Sequence, residues 1–260
     1  MEPTVTVLAS GLNLLSFQGV TVFQDAIIVA TVEGDLVRVA PDGTLVTWVN
    51  VERYGIPAGI VGLQESVIVA LSAQELGHSL VQVTKQSEVS SLADLSDFAG
   101  DFGAPFAVAA SEGYYPFYLV AVSTDVLGSA GLIVRVTRSG RTTVLTPLDS
   151  TSFGIGIGED YIIATQENGQ VLRIAFTGET KAIADLQQAD LGAPLDITRL
   201  GDRWMTVTTA GWLVALKPNG MLSPIINIAE MGEGLPTTLT TLGNQLIVAT
   251  QAGKLLRIEV

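Results

Sequence analysis

The chain contains no cysteine and only one histidine, His78. Without cysteine it can form neither a disulfide framework nor a thiolate metal site, so the redox state of its compartment stays open. With one histidine a catalytic triad is hard to assemble. The sequence also lacks a Gly-x-Ser-x-Gly elbow, a Walker motif and a dinucleotide fingerprint. These absences argue against several large enzyme classes, and the sequence predicts no cofactor.

Basic residues are scarce as well. The chain has 13 Lys and Arg against 26 Asp and Glu, for a net charge of -13. Binding to nucleic acid or to an anionic membrane surface needs clustered basic side chains, so we expect neither partner. Residues 1–7 lack the basic and apolar regions of a signal peptide, and the uncharged stretch 234–253 is too polar for a membrane span. The location stays open between the cytoplasm and, if a leader precedes the chain, the periplasm or the extracellular space.

What the sequence does contain is a repeat. An apolar run that ends in Ala or Val before a turn recurs six times, at intervals of 40 to 51 residues. The last residues of these runs are Ala30, Ala70, Ala121, Ala164, Val207 and Ala249. The period is near that of a four-stranded propeller blade. An apolar content of 48% with 15% charged residues is typical of a globular chain of many half-buried strands.

Each unit follows one order. A short apolar strand A, which most often begins at a Gly, is followed by a tight turn, strand B, a second turn, strand C, a third turn and strand D. Strand C has the pattern Leu-apolar-Arg-apolar. The turns hold Gly, Asn and Asp, which tolerate the positive φ of hairpin turns, and the strands are rich in Val, Ile and Thr. The third turn often carries a late glycine: Gly43, Gly140, Gly178 and Gly220.

The two ends of the chain are complementary. The sixth unit stops at Val260, after its strand C, and residues 4–8 resemble a strand D without a unit of its own. Pairing these ends would close the ring and protect two edges that could otherwise pair with other chains. The sequence therefore predicts an all-β fold in which residues 1–260 form a single six-bladed β-propeller domain, with the N-terminal strand completing the C-terminal blade.

The starts of strand A support a family resemblance. They include Pro57-Ala58-Gly59-Ile60, Pro105-Phe106-Ala107-Val108, Ser152-Phe153-Gly154-Ile155 and Pro194-Leu195-Asp196-Ile197. These phrases resemble the Pro-aromatic-Gly-Ile start of six-bladed propellers of the NHL and gluconolactonase (senescence marker protein) type. The strand C phrases Leu-Val-Arg-Val and Leu-Leu-Arg-Ile are similar to cyanobacterial propeller proteins associated with scytonemin biosynthesis. Such motifs are structural and imply architecture more than activity.

A gluconolactonase-type enzyme, by this resemblance, would gather Glu, Asn and Asp side chains around one cation near the axis. The candidate axial residues here are Gly19, Gly59, Ala107, Gly154, Asp196 and Thr238. Asp196 is the one carboxylate among them, so we expect no metal site. The glycines are interpreted as points of close strand approach. Asp196 is either an acceptor for a ligand at the mouth of the channel or a solvated acid bonded to neighbouring turns.

Two further sets of residues have competing interpretations. A propeller like virginiamycin lyase would need a histidine base, for which His78 is the one candidate; the alternative is a surface histidine in a loop. The strand C arginines are Arg38, Arg135, Arg173 and Arg257. They could form an anion-binding ring. We favour the alternative that their stems cover apolar neighbours, because strand C lies far from the axis.

Charge divides between the two faces of the predicted ring. Chain direction puts the D-to-A and B-to-C connections on one face, here called the long-loop face, and the A-to-B and C-to-D turns on the other, the turn face. The long-loop face carries most of the acids, against only Arg53 and Lys254. A set of like charges is usually a solvated face. Here the longest connections coincide with the acids, which favours a surface for a cation or a basic partner.

The longest of these connections are 91–104, 72–79 and 123–131, and they belong to the second and third units. They hold a candidate binding cluster: His78, Asp97, Phe98, Asp101, Phe102 and Asp125. The alternative is that the two Phe side chains cap the blade core. We therefore expect a non-enzymatic binding or scaffold protein that recognises a small ligand or a protein partner, cationic in character, on the long-loop face. The alternative is a hydrolase, lactonase or lyase of the gluconolactonase type that uses the axial pocket.

Overall fold

The structure is a computed structural model, and it describes residues 3–14, 18–73, 77–100, 103–111, 116–125 and 129–260. Within these ranges nearly all regular structure is β. Strands are numbered in chain order, with strands A to D of each blade in sequence. The N-terminal strand is β1 (Thr4–Ala9), which belongs to blade 6. Blade 1 comprises β2 (Val20–Phe23), β3 (Ala26–Ala30), β4 (Asp35–Val39) and β5 (Leu45–Asn50). Blade 2 comprises β6 (Ile56–Gly62), β7 (Ser66–Ser72), β8 (Ser79–Thr84) and β9 (Val89–Asp94).

The remaining blades repeat this order. Blade 3 comprises β10 (Ala104–Ser111), β11 (Phe117–Ser123), β12 (Gly131–Thr137) and β13 (Thr142–Leu148). Blade 4 comprises β14 (Ser152–Ile157), β15 (Ile162–Gln166), β16 (Gln170–Ile174) and β17 (Thr180–Asp185). Blade 5 comprises β18 (Pro194–Leu200), β19 (Arg203–Thr208), β20 (Trp212–Leu216) and β21 (Leu222–Asn227). Blade 6 comprises β22 (Pro236–Leu242), β23 (Gln245–Thr250) and β24 (Leu255–Glu259), together with β1.

The six four-stranded antiparallel sheets confirm the predicted six-bladed propeller. The ring is closed as expected, because β1 pairs with β24 from the opposite end of the chain. The register sets Thr4 opposite Glu259 and Val7 opposite Leu256. The first strands of the six blades contact one another in ring order, so strand A of each blade is innermost.

Packing between blades explains the unbroken apolar runs of strand B. Successive residues of a strand point to opposite faces of its sheet. In β3, Ile27 and Val29 belong to the apolar cluster shared with blade 6, whereas Ile28 and Ala30 belong to the cluster shared with blade 2. Each pair of adjacent blades encloses such a cluster. Both sheet faces are therefore buried, and a polar residue in strand B would be buried on either face.

The strand C arginines lie over aromatic rings. The guanidinium carbon of Arg38 is 5.6 Å from the ring centroid of Trp48, that of Arg135 is 4.3 Å from Phe117, and that of Arg173 is 4.4 Å from Tyr161. These contacts agree with the interpretation that the arginine stems cover apolar neighbours.

In the part of the chain that the structure describes, three short helical turns lie in the connections on the long-loop face: Glu52–Tyr54, Ala229–Met231 and α1 (Ser96–Ala99). The repeat pattern predicts none of them. Before α1, the carboxylate of Asp94 accepts a hydrogen bond from the amide of Ser96 at 2.9 Å, and the helix ends at Gly100, which has φ +62°. Among the described residues, no helix is both long enough and apolar enough to span a membrane.

The late glycines of the third turn hold adjacent blades together. Each has a positive φ, and a Cβ added to any of them would lie within 2.5 Å of a backbone oxygen in strand D of the preceding blade. The oxygens belong to Leu8, Leu92, Leu145 and Ile183, which face Gly43, Gly140, Gly178 and Gly220 respectively. The turn therefore needs glycine for two separate reasons, the sign of φ and the close approach.

Comparing Gly43→Ala with Gly11→Ala separates these two reasons. Both glycines have φ +84°, but a Cβ at Gly43 would lie 2.3 Å from the oxygen of Leu8, whereas a Cβ at Gly11 has nothing within 4 Å. We expect Gly11→Ala to cost about 1 kcal/mol through backbone strain. Gly43→Ala should cost a further ~1–3 kcal/mol through overpacking against β1. Urea unfolding of both variants measures the difference; equal losses would show that the blade contact contributes nothing.

Candidate functional site

A cavity of about 250 Å³ runs along the propeller axis, among the six innermost strands. Five of the six predicted axial residues line it, namely Gly19, Gly59, Ala107, Asp196 and Thr238, whereas Gly154 does not. The glycines keep the strands close together. A Cβ at Gly59 would lie 2.7 Å from Cα of Ala107, and one at Gly154 would lie 2.7 Å from Cα of Asp196. This geometry confirms the interpretation of the glycines as points of close strand approach.

Asp196 lies in the third position of β18 and is held by three hydrogen bonds. Its Oδ1 accepts one from the amide of Ile197 at 2.8 Å. Its Oδ2 accepts one from the amide of Leu239 at 2.9 Å and one from Oγ1 of Thr238 at 2.6 Å. The backbone oxygen of Asp196 also accepts a hydrogen bond from Thr206 Oγ1 at 2.6 Å. The carboxylate therefore joins blade 5 to blade 6 and is fixed in one orientation.

Burial raises the pKa of Asp196 from 3.8 to about 6, because the charged form is desolvated. The hydrogen bonds from Thr238, Leu239 and Ile197 oppose this change by favouring the anion. The residue is half-buried by surface area, and its accessible part belongs to the wall of the cavity. The expectation of a solvated acid bonded to neighbouring turns is therefore wrong: its partners are strand groups in the interior. At pH 7 the carboxyl is mostly ionised.

Aromatic side chains line the end of the cavity nearest the long-loop face. Phe106 and Phe153 occupy the position before the axial residue in β10 and β14, and Leu195 occupies it in β18. The two Phe rings are 5.3 Å apart, edge to face, and both are half-buried. Phe106 and Phe153 were not predicted as site residues, although they stand in the phrases quoted for the strand starts. The sequence feature that could have indicated them is a large apolar side chain one residue before the axial position.

The opposite end of the cavity carries a paired charge. Arg199, at the far end of β18, donates a hydrogen bond through Nε to the oxygen of Gly201 at 3.1 Å, and its guanidinium is 3.4 Å from Glu159. Trp204 closes this end against Gly156 and donates from Nε1 to the hydroxyl of Tyr161 at 3.0 Å. The cavity is thus polar at its turn-face end, apolar at its long-loop end, and contains one carboxylate between them.

His78 does not lie on the surface, so the alternative of a surface histidine is wrong. It is only 6% exposed, in the connection between β7 and β8 beneath α1. Its amide donates to Ser96 Oγ at 3.0 Å, and its oxygen accepts from the amide of Leu95 at 2.8 Å. Burial lowers the pKa of His78, and the carboxylate of Asp94 partly opposes this change. His78 anchors the α1 connection and, at this burial, cannot contact a partner directly.

The other members of the predicted cluster are separate from the axis. Asp97 is exposed on α1, whereas Phe98 packs against the apolar cluster between blades 2 and 3, as the capping alternative predicted. The carboxylate of Asp125 accepts hydrogen bonds from the amide and hydroxyl of Ser129. Asp101 and Phe102 lie outside the described residues. Of the predicted site residues that the structure describes, Asp196 lines the cavity and the others do not.

Within the described ranges, no three His, Cys, Asp or Glu side chains cluster closely enough to hold a metal ion. The chemistry available at the axis is therefore that of one oriented carboxylate, several hydroxyl groups and an apolar end.

No family model matches the chain, and no curated protein matches its sequence. Solved structures resemble its fold. Virginiamycin B lyase from Staphylococcus aureus aligns over 100% of both chains with a TM-score of 0.67 and 16% identity. A protein of unknown function from Bacteroides thetaiotaomicron aligns over 99% of this chain and 76% of its own, with a TM-score of 0.72 and 14% identity. The WD40 propeller domain of Doa1 aligns over 98% and 96%, with a TM-score of 0.64 and 10% identity. At these identities the likeness shows the fold alone.

Proposed function

We propose that this chain is a small-molecule binding protein whose ligand enters the axial cavity from the long-loop face. The observation that carries the proposal is the cavity itself, whose wall contains one hydrogen-bonded carboxylate and an aromatic pair. Ligand sites are usually concave and mostly apolar, with a few polar groups that set orientation. Asp196 would supply the orienting group, and Phe106 and Phe153 would supply the apolar wall.

A fragment screen by ligand-observed NMR tests this proposal, with the double variant Phe106→Ala/Phe153→Ala as its probe. We expect hits whose affinity falls at least about tenfold in the double variant, because the aromatic contact area is lost. Phe176→Ala is the matched control. It removes an aromatic ring that is 39% exposed on the turn face and outside the cavity lining. Hits that bind the double variant as well as the wild type would refute the axial site.

The acids of the long-loop face support a cationic ligand. Four ion pairs occur among the described residues, and only Lys254–Glu233 lies on this face. Exposed acids such as Asp97 and Glu167 thus contribute an unbalanced negative field around the cavity entrance. We propose a protein partner with a basic surface as the second occupant that the long-loop face would suit.

The negative field of these acids should make the affinity for an organic cation depend on the salt concentration. We expect the double variant Asp97→Asn/Glu167→Gln to bind benzylamine more weakly at low ionic strength, on the order of threefold. The loss should vanish near physiological salt, where the screening length is about 8 Å. The variant Glu179→Gln/Asp202→Asn makes the same charge change on the turn face and should leave the affinity unchanged. Equal effects of the two variants would remove the role of the long-loop face.

An enzyme is the second candidate, favoured by one observation. A carboxyl in a cavity with a pKa raised to about 6 has a value suited to general acid or base catalysis. A relation to the NHL and gluconolactonase type, or to the scytonemin-associated propellers, would favour it and rests only on the strand-start and strand C phrases. Calorimetric titration with calcium, magnesium and zinc tests the metal-dependent form of this candidate: a stoichiometric site that Asp196→Ala abolishes would support a metal-dependent lactonase or lyase.

A further inference from the structure

The buried carboxylate of Asp196 has no cationic partner in the protein. All 13 Lys and Arg residues fall in the described part of the chain, and none of the ion pairs found there involves Asp196. Arg199, the other charged residue of the cavity wall, is turned towards Glu159. Buried charges in proteins are normally paired, since an unpaired ion in the interior is costly. A positive charge from a ligand would complete this site.

The hydrogen bonds leave room for a donor rather than for a metal ion. Oδ2 already accepts two hydrogen bonds, from Thr238 and Leu239, whereas Oδ1 accepts one, from Ile197. Each carboxylate oxygen has about two acceptor positions, so Oδ1 retains one that suits a single N–H group. Divalent calcium takes six to eight oxygen ligands, and no second carboxylate lines the described wall of the cavity.

The apolar end is within reach of the same ligand. Gly154 packs directly against the backbone of β18, with the added Cβ position 2.7 Å from Cα of Asp196. Phe153, in the preceding position, lines the same cavity as Asp196. Phe106 contacts Phe153 edge to face. A volume of about 250 Å³ is just below the range of about 300–1,000 Å³ found for drug-sized ligands, so the ligand is compact.

We propose that the axial cavity binds a compact primary amine with an apolar substituent, its ammonium group donating to Oδ1 of Asp196 and its substituent packed on Phe106 and Phe153. This inference rests on the proposed binding function and narrows it to one ligand class. A charged hydrogen bond in a desolvated site contributes more than a neutral one, so charge should decide which of several similar molecules binds.

Three matched probes test the ligand class: benzylamine, benzyl alcohol and benzoate, which share a ring and differ in charge. We expect benzylamine to bind at least about tenfold more tightly than benzyl alcohol, as a charged hydrogen bond predicts, and benzoate not to bind. Calorimetry or NMR titration with the wild-type protein measures the three affinities. Asp196→Asn should remove the preference for benzylamine over benzyl alcohol.

A pH titration of benzylamine binding to the wild-type protein tests the role of Asp196 even if the Asp196→Asn variant fails to fold. Protonation of Asp196 below its pKa of about 6 should weaken benzylamine binding by about tenfold per pH unit, while benzyl alcohol binding stays constant. The strands packed against β18 add no competing group. β14, β15 and β22 carry no titratable side chain, and besides Asp196 the strands β18 and β19 carry only the arginines Arg199 and Arg203.

The results of these experiments distinguish the failure of the axial binding site from the failure of the amine assignment. If benzyl alcohol binds as tightly as benzylamine and depends on Phe106 and Phe153, the axial binding site stands and the amine assignment is overturned. If the fragment screen finds axial ligands but benzylamine does not bind, the amine assignment alone is again overturned. If no fragment depends on the aromatic pair, both proposals are refuted.

Discussion

Removing residues 1–9 should abolish cooperative folding of the isolated chain. The deletion removes β1, leaves the edge of β24 unpaired and opens the ring between blades 6 and 1. It also removes Ala9 and Leu8 from the apolar cluster between these blades, and the oxygen on which Gly43 packs. Each lost strand hydrogen bond contributes about 1 kcal/mol to the free energy of unfolding, and the lost apolar burial adds to this. The sum approaches the total stability of a typical domain, about 5–15 kcal/mol.

Urea unfolding followed by circular dichroism measures this effect, with Thr4→Ala/Thr6→Ala as the control. Both threonines are exposed in β1, so the control keeps the strand and should change the stability by less than about 0.5 kcal/mol. A peptide spanning residues 3–10, added in trans, should restore the transition by strand addition. An unaltered midpoint in the truncated chain would show that closure does not stabilise the ring.

Stability should rise as the pH falls through the range in which Asp196 takes up a proton. The folded pKa is about 6 and the ordinary value is 3.8, so between these values the folded protein binds a proton that the unfolded chain does not. Unfolding free energy should therefore increase by about 1.4 kcal/mol per unit of falling pH in this window. The contribution at pH 4 should exceed that at pH 7 by roughly 2 kcal/mol.

The control Asp196→Asn isolates this contribution, because the two proteins differ in this one carboxyl group. At low pH the Asn variant should be less stable than the wild type. Its side-chain N–H₂ group would face the backbone amide of Ile197 or Leu239, and two donors cannot bond to each other. The stability difference between wild type and variant, measured by urea unfolding from pH 4 to pH 8, should be largest at pH 4 and shrink towards pH 7. Parallel curves would mean that the axial carboxyl is not desolvated.

Much of the architecture was predictable because propeller blades are local. In each unit, turn residues and apolar runs within about 45 residues build one sheet, and the repeat spacing counts the sheets. The pairing of β1 with β24 is the exception, and it was predicted from the unmatched ends of the chain. The α1 turn was missed because its four residues follow from one side-chain contact, that of Asp94 with the amide of Ser96, and not from any periodicity.

The candidate site was only half predictable. Alignment of the strand starts placed Asp196 at the axis, because equivalent positions of repeated strands must share a radius. It could not show that Thr238 and Leu239, from the next blade, hold the carboxylate, or that the surrounding strands desolvate it. The same alignment contained Phe106 and Phe153, but their edge-to-face contact depends on the angle between neighbouring blades.

The sequence by itself determined the strand order, the number of blades and the closure of the ring, since these follow from hydrophobic patterns and turn residues read along the chain. Only the tertiary structure decided which side chains are buried and what they contact. His78 reads as a surface residue but is buried beneath α1, and Asp196 reads as a solvated acid but lies within the ring. The reason is physical: burial and desolvation depend on elements far apart in sequence, which a local pattern does not record.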